Sequence, residues 1–291
     1  MEIVKKRRPG DVARGFFQLC HPIPVLFHTI GVTVFALLAA WPKFVWITIV
    51  FVVAAHTAMQ LSISVLNDYC DRRLDAMSKR NKPIPQGLVT PREALVTGLL
   101  LVVLMLLFLL PLNPLALLIS LLYLALGQGY NLGLKSTPLS GVVFALAIPL
   151  IPIYAFVGVG HIISLLFWLF PVAALLGISL NLANSLPDVE QDAMNGARTL
   201  AVVLGIRGTF LTSRLLISLA IALIGILTLT HLVVVNTWVV YPILIVSILA
   251  MVIMLLFFGP EKSIQTRKTY FYVVVLTCLL LVGGWIIGGI A

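Results

Sequence analysis

Residues 94–134, ALVTGLLLVVLMLLFLLPLNPLALLISLLYLALGQGYNLGL, run for 41 positions without an Asp, Glu, Lys or Arg. About 20 apolar residues carry a helix across the hydrocarbon core, so this run holds two spans, with the turn formers of Pro111–Pro114 (PLNP) between them. Cutting the rest of the chain at its charges leaves uncharged runs of 28 (15–42), 24 (44–67), 52 (136–187), 46 (215–260) and 23 (269–291) residues. These hold one, one, two, two and one spans, and the double runs break at Gly158–His161 (GVGH) and around Asn236. Nine spans are therefore predicted. Composition agrees: of 291 residues 61% are hydrophobic and only 10% charged, with a mean hydropathy of +1.13, far from soluble usage.

Charge sets the expected orientation. With the N-terminus inside, the inside segments are 1–15, 67–93, 131–138, 187–214 and 259–268, which contain 18 of the 19 Lys and Arg and leave only Lys43 outside. The positive-inside rule then puts the N-terminus in the cytoplasm and the C-terminus outside. The expected fold class is an all-α membrane protein, nine transmembrane helices around one central pocket. Residues 1–14 form a basic cytoplasmic segment, and 15–291 form a single nine-helix domain. The net charge of +9 reads as anchoring to anionic headgroups, with Lys5–Arg8 the strongest stretch. No nucleic-acid partner and no obligate protein partner is inferred. Cys20, Cys70 and Cys278 include no CxxC pair and imply neither a disulfide framework nor a zinc site.

All ten acidic residues fall in the inside segments, most of them in two. Asp68, Asp71 and Asp75 continue the second span, and at 100° per residue they lie on one helical face, below Gln60, Ser64 and Asn67. The second half repeats the design. Asn181, Asn184 and Asp188 sit at i, i+3 and i+7, and Asp192 follows one turn on, with Pro187 bending the helix or starting a new one. Two polar stripes ending in carboxylates are expected to form two walls of one pocket, lined by Gln60, Ser64, Asn181 and Asn184.

Like charges at this spacing destabilise a helix unless something binds them. A divalent cation resolves the repulsion, and carboxylates near water suit Mg²⁺, which fills its other positions with water and phosphate oxygens. Arg72, Lys79, Arg80, Lys82, Lys135 and Arg198 lie among the acids; metal plus such cations makes a receptor for a diphosphate, and the apolar helices behind it suit an apolar tail. The plainer alternative is a solvated loop whose Asp and Arg pair with each other.

The residues at these sites resemble the UbiA superfamily of intramembrane prenyltransferases. Asn67, Asp68, Asp71 and Asp75 spell NDxxDxxxD, similar to that family's first motif, at 67–75. KPIPQG (82–87) is similar to its RPIPxG, with Lys82 for Arg. DVEQDAMNGARTLAVVLG (188–205) resembles its second motif, with Asp188 and Asp192 at 188–192, and YNLGLK (130–135) resembles its Tyr and Lys segment. Many members carry Arg-Pro at the entry to the first helix, where this chain has Cys20, His21 and Pro22.

The resemblance implies that Asp68, Asp71 and Asp75 hold one Mg²⁺ and Asp188 and Asp192 a second, these five being the catalytic residues. Asn67, Arg72, Arg80, Lys82, Tyr130, Lys135 and Arg198 would serve the diphosphate. It further implies an isoprenyl diphosphate donor, a small, aromatic, quinone-precursor-type acceptor, and a multi-pass protein of a cell (inner) membrane with its site at the cytoplasmic face. A terpene cyclase on the same scaffold, acting without an acceptor, shares these motifs. CDP-alcohol phosphotransfer fits less well, because Asp68 is followed by Tyr69 rather than Gly. A transporter would need charge near the bilayer midplane, where this chain offers only Gln60 and His56.

Overall fold

The computed structural model describes residues 7–78 and 81–290. Lys5, Lys6, Lys79 and Arg80 therefore lie outside the described residues. Helices run α1 Pro9–Leu19, α2 Pro22–Ala40, α3 Trp46–Ser78, α4 Pro91–Leu109, α5 Pro114–Asn131, α6 Ser140–Val159, α7 Leu165–Ser185, α8 Val189–Met194, α9 Leu200–Leu229, α10 Thr237–Phe257 and α11 Ile264–Ile290. Among the described residues there is no strand, and nine helices are long and apolar enough to cross a membrane.

Local chemistry explains where the helices begin. Thr90 Oγ1 accepts the Glu93 N–H at 3.2 Å while the Glu93 carboxylate accepts the Thr90 N–H at 2.7 Å, a reciprocal cap, with Pro91 opening α4. Asn113, Thr199 and Asn236 cap α5, α9 and α10 in the same sense, each accepting a backbone N–H of the first turn. The turn formers of the sequence stand where expected: 111–113, 160–164 and 230–236 separate consecutive helices.

The first span differs from its expected bounds of 15–42. Residues before Pro22 form the separate helix α1, and the chain breaks at Cys20–His21, where His21 adopts φ 45° and Pro22 offers no N–H. Helix α1 is amphipathic: Gly15 and Leu19 are buried while Asp11 and Arg14, with the preceding Arg8, are exposed. Such a helix lies along a surface rather than crossing a bilayer. Arg7 extends this attachment, donating to both carboxylate oxygens of Glu93 at 2.7 and 2.9 Å.

The chain divides into two compact units. The first comprises Met1–Leu132 with Tyr154–His161, and the second Gly133–Ile153 with Ile162–Ala291. Within the first, α3 is the centre: Gly98 of α4 sits against Leu66, Gly127 of α5 against Ile63, and Gly158 against Val52. Small residues let helices approach where lipid offers no hydrophobic drive. Within the second, Gly177 of α7 meets the backbone of Phe144, and the Tyr270 hydroxyl of α11 donates to Ser213, itself 2.8 Å from Ser179. Leu100 and Leu107 of α4 and Ile245 and Leu256 of α10 face outward, as lipid-facing residues must.

Candidate active site

Helix α3 runs on to Ser78, past the end of the uncharged run, so the first acidic motif is helical throughout. Asp68 and Asp75 are buried and Asp71 half-buried. The Lys82 ammonium lies between the two buried carboxylates, donating to Asp68 Oδ1 at 2.7 Å and standing 3.1 Å from Asp75 Oδ2. Two features bring Lys82 back onto the helix. The Pro83–Pro85 turn is closed by the Gln86 N–H on the Lys82 carbonyl and the Leu88 N–H on the Pro83 carbonyl, and Gly87, at φ 71°, takes the left-handed conformation that reverses the chain. Burial works against the Lys82 charge, but the hydrogen bonds and charges of Asp68 and Asp75 outweigh it and raise the ammonium above its ordinary range.

His21 completes this group, its Nε2 3.0 Å from Asp68 Oδ1. The one signal for it in the sequence is its place in Cys20-His21-Pro22, ahead of the first long apolar helix. Arg72 meets Tyr69. Its guanidinium donates to the Tyr69 carbonyl at 2.6 Å and lies over the Tyr69 ring, 4.3 Å from its centroid. Asn67 and Ser64 are half-buried on the same helix, and Arg80 lies outside the described residues.

Gln60, expected to line a pocket, is buried within the first unit. Its amide donates to the Tyr123 hydroxyl at 2.7 Å and lies 3.2 Å from His28 Nδ1 and 3.4 Å from His56 Nε2. Four polar side chains from α2, α3 and α5 thus gather around one another inside the span. Tyr130 is half-buried at the end of α5, beside Asn131, whose amide donates to the Ile63 carbonyl of α3 at 2.9 Å.

In the second unit Pro187 starts a new element. A 3₁₀ turn, Leu186–Asp188, leads into the short α8. Asp188 is exposed and Asp192 half-buried. The Ala197 N–H on the Asp192 carbonyl (2.9 Å) and Gly196 at φ 76° turn the chain back toward α9. The Arg198 N–H then donates to the Ser136 carbonyl at 2.9 Å. That bond brings the backbone of the Leu134–Ser136 turn, which carries Lys135, to the tail of the second motif, two segments the sequence separates by some 60 residues. Lys135 is half-buried and Arg198 exposed. Asn181 is buried and accepts the Ser140 hydroxyl at 3.2 Å, whereas Asn184 is exposed.

Two carboxylates gathered round an ammonium fit a hard cation. Asp75 Oδ2 is buried with the Lys82 ammonium 3.1 Å away, and carboxylate oxygen is what Mg²⁺ takes. Among the described residues no three His, Cys, Asp or Glu side chains converge into a ready-made cage. An ion held at the first motif would therefore draw ligands from water and phosphate as well as from carboxylate oxygen.

Nine apolar helices among the described residues, with an acidic face on one long helix and a second acidic turn, define a class: a polytopic membrane protein with carboxylates on its helix ends. The profile of the UbiA prenyltransferase family matches residues 29–276. A 4-hydroxybenzoate octaprenyltransferase of Escherichia fergusonii is 34% identical over 204 residues, covering 66% of this chain and 69% of that one. Its counterpart in Citrobacter koseri is 34% identical over 182 residues, covering 60% and 61%, so this chain matches under two thirds of that protein's length. Among solved structures, one of a digeranylgeranylglyceryl phosphate synthase has a TM-score of 0.73 at 18% identity over 96% of this chain and 99% of that one. A UbiA homologue of Archaeoglobus fulgidus bound to GPP and Mg²⁺ has a TM-score of 0.71 at 17% identity over 91% and 97%. The chain belongs to the UbiA prenyltransferase family, and with it to the prenyltransferase class of enzymes.

Proposed function

We propose that this chain transfers the prenyl group of an isoprenyl diphosphate to a small aromatic acceptor of the quinone-precursor type, with the help of Mg²⁺, at the cytoplasmic face of a cell (inner) membrane. The observation that carries this reading is the arrangement of Asp68 and Asp75, buried on one face of α3 around Lys82, in the family's own motif. The names of the relatives at 34% identity support the aromatic acceptor. The homologue bound to GPP and Mg²⁺ supports the donor and the metal, and the near-complete segregation of Lys and Arg supports the cytoplasmic side and an inside N-terminus.

In this reading Asp68, Asp71 and Asp75 hold one Mg²⁺, and Asp188 and Asp192 a second, both serving the diphosphate of the same substrate. When bound, the ions neutralise charge on the phosphate oxygens and so lower the barrier to loss of the diphosphate. Lys82, Lys135 and Arg198 supply further positive charge to that leaving group, with Asn67 and Tyr130 orienting it. Arg80 belongs to the same set by its sequence position. Arg72 would serve only after leaving the Tyr69 ring. The bond that breaks joins C1 of the prenyl chain to the diphosphate oxygen, which keeps the electron pair. The allylic carbon then bonds to a ring carbon of the acceptor, and the ring loses one proton to restore aromaticity. Apolar helices exclude the water that would otherwise capture the allylic cation.

The test is diphosphate release by purified protein in detergent with geranyl, farnesyl or geranylgeranyl diphosphate, with Mg²⁺ or EDTA, alone and with 4-hydroxybenzoate and other aromatic acceptors. Release that needs both Mg²⁺ and one acceptor is expected. Mg²⁺-dependent release of a cyclised hydrocarbon without an acceptor would instead make the enzyme a cyclase. Lys135→Ala should raise KM for the prenyl diphosphate by about tenfold, the worth of one charge-assisted contact, without altering the Mg²⁺ concentration needed. An unchanged KM removes Lys135 from the diphosphate site.

A further inference from the structure

Glu190 lies between the two aspartates of the second motif, and its partner comes from far along the chain. Arg267, near the start of α11, directs one guanidinium nitrogen at both Glu190 oxygens, 2.8 Å from each. Arg267 is only 7% exposed, while the Glu190 side chain is 52% exposed. A buried guanidinium is costly to desolvate unless an anion meets it, and Glu190 is the anion that pairs with Arg267. Helical geometry gives this pair a direction. Asp188 and Asp192 are four residues apart and share a face of the turn, whereas Glu190, two residues from each, is rotated by about 200° to the opposite face.

The turn needs such a hold. Helix α8 has six residues, far below the length at which a helix is stable by itself, and three carboxylates within five positions repel one another. Helix α11, by contrast, is anchored within the second unit by the buried residues Tyr270, Val274 and Trp285.

We propose that Arg267 is a positioning residue of the second acidic motif: by gripping Glu190 from behind, it holds the α8 turn so that Asp188 and Asp192 present together on the other face as a cation site. This rests on the function proposed above, in which those two aspartates hold Mg²⁺. Arg267 touches neither substrate nor metal, and its effect passes through Glu190.

A double-mutant cycle on the full chain in detergent tests it, using Arg267→Gln, Glu190→Gln and the pair, with Arg267→Lys as the conservative variant. The readouts are the Mg²⁺ concentration for half-maximal turnover, kcat and KM separately, and Mn²⁺ binding without substrate followed by its paramagnetic resonance. Each Gln variant is expected to raise half-saturating Mg²⁺ and weaken Mn²⁺ binding by about tenfold, as loss of a ligand's outer support does elsewhere. The double variant should add little to either single one, because the two residues act as a unit. Arg267→Lys should recover part of the loss. Should Arg267→Gln fail to insert, Glu190→Gln and Arg267→Lys carry the test. Variants that lower thermal stability yet keep Mg²⁺ and Mn²⁺ dependence within twofold of the parent overturn the inference, as do single effects that simply add. If the parent shows no Mg²⁺-dependent turnover, or Asp192→Ala keeps its activity, the proposed function fails first and this inference with it.

Discussion

Replacing Asp71 or Asp192 with alanine should abolish diphosphate release while leaving the protein folded and inserted. Each lies in a different acidic motif, and each is half-buried, exposed enough to meet a ligand and enclosed enough for its charge to count. Neither is part of the Lys82 grip on Asp68 and Asp75, so their loss leaves that grip intact. Charge developing on a departing diphosphate is stabilised electrostatically, and removing one such element elsewhere costs roughly 10²–10³ in turnover, or about 3–4 kcal/mol. A carboxylate that also brings a metal ion should cost at least that. Turnover is measured as diphosphate release at saturating prenyl diphosphate, with monodispersity in detergent as the folding control. Parent-like activity in both variants would falsify the reading of the two motifs as metal sites.

Lys82→Met should destabilise the protein through electrostatics. It strips the cation from two carboxylates that are almost fully buried, Asp68 at 2% and Asp75 at 3% exposure. Breaking a buried pair from one side costs about 3–5 kcal/mol, since buried carboxylate charge is left short of compensation, Asp68 keeping its His21 contact. For a chain of this size that is a fall of roughly 5–15 °C in the unfolding midpoint. Mg²⁺ should restore part of the loss in Lys82→Met, because it supplies positive charge to the same carboxylates, and Lys82→Arg should unfold close to the parent.

The sign with pH follows from the raised ammonium. Its contribution is fully present below the ordinary lysine value of 10.5 and is lost only as pH climbs through the higher folded-state value. The difference between parent and Lys82→Met should therefore be flat across neutral pH and shrink in strong base. Thermal unfolding with and without Mg²⁺ measures both effects. A Lys82→Met protein as stable as the parent without divalent ion would show that water, not Lys82, balances these carboxylates.

Span count, breaks and the acidic faces were legible in the sequence because each is a local property. Hydropathy over about 20 residues decides whether a segment can leave water, and the 100° step decides which positions share a face. Thus Asp68, Asp71 and Asp75 could be placed on one side of α3, and the breaks at Pro111–Pro114 and around Asn236 located, without any tertiary information. The separation of α1 from α2 was missed although its cause, Pro22, stands in the sequence. An uncharged run looks continuous to a hydropathy count, which does not see a lost N–H.

Which side chains meet was decided only by the tertiary structure. His21 on Asp68 joins residues 47 apart, Arg267 on Glu190 residues 77 apart, and Gln60 on Tyr123 residues 63 apart. Such pairings depend on how far each helix is rotated and how closely its neighbour approaches, which Gly98, Gly127 and Gly177 permit but do not announce. The same packing gives protein partners to groups that the sequence offers to a ligand: Gln60 meets His28 and Tyr123, and Arg72 lies on Tyr69. In this protein local pattern determined which residues carry charge to the membrane surface, and helix packing determined what each charge holds, because a buried polar group takes the partner that folding brings within 3 Å.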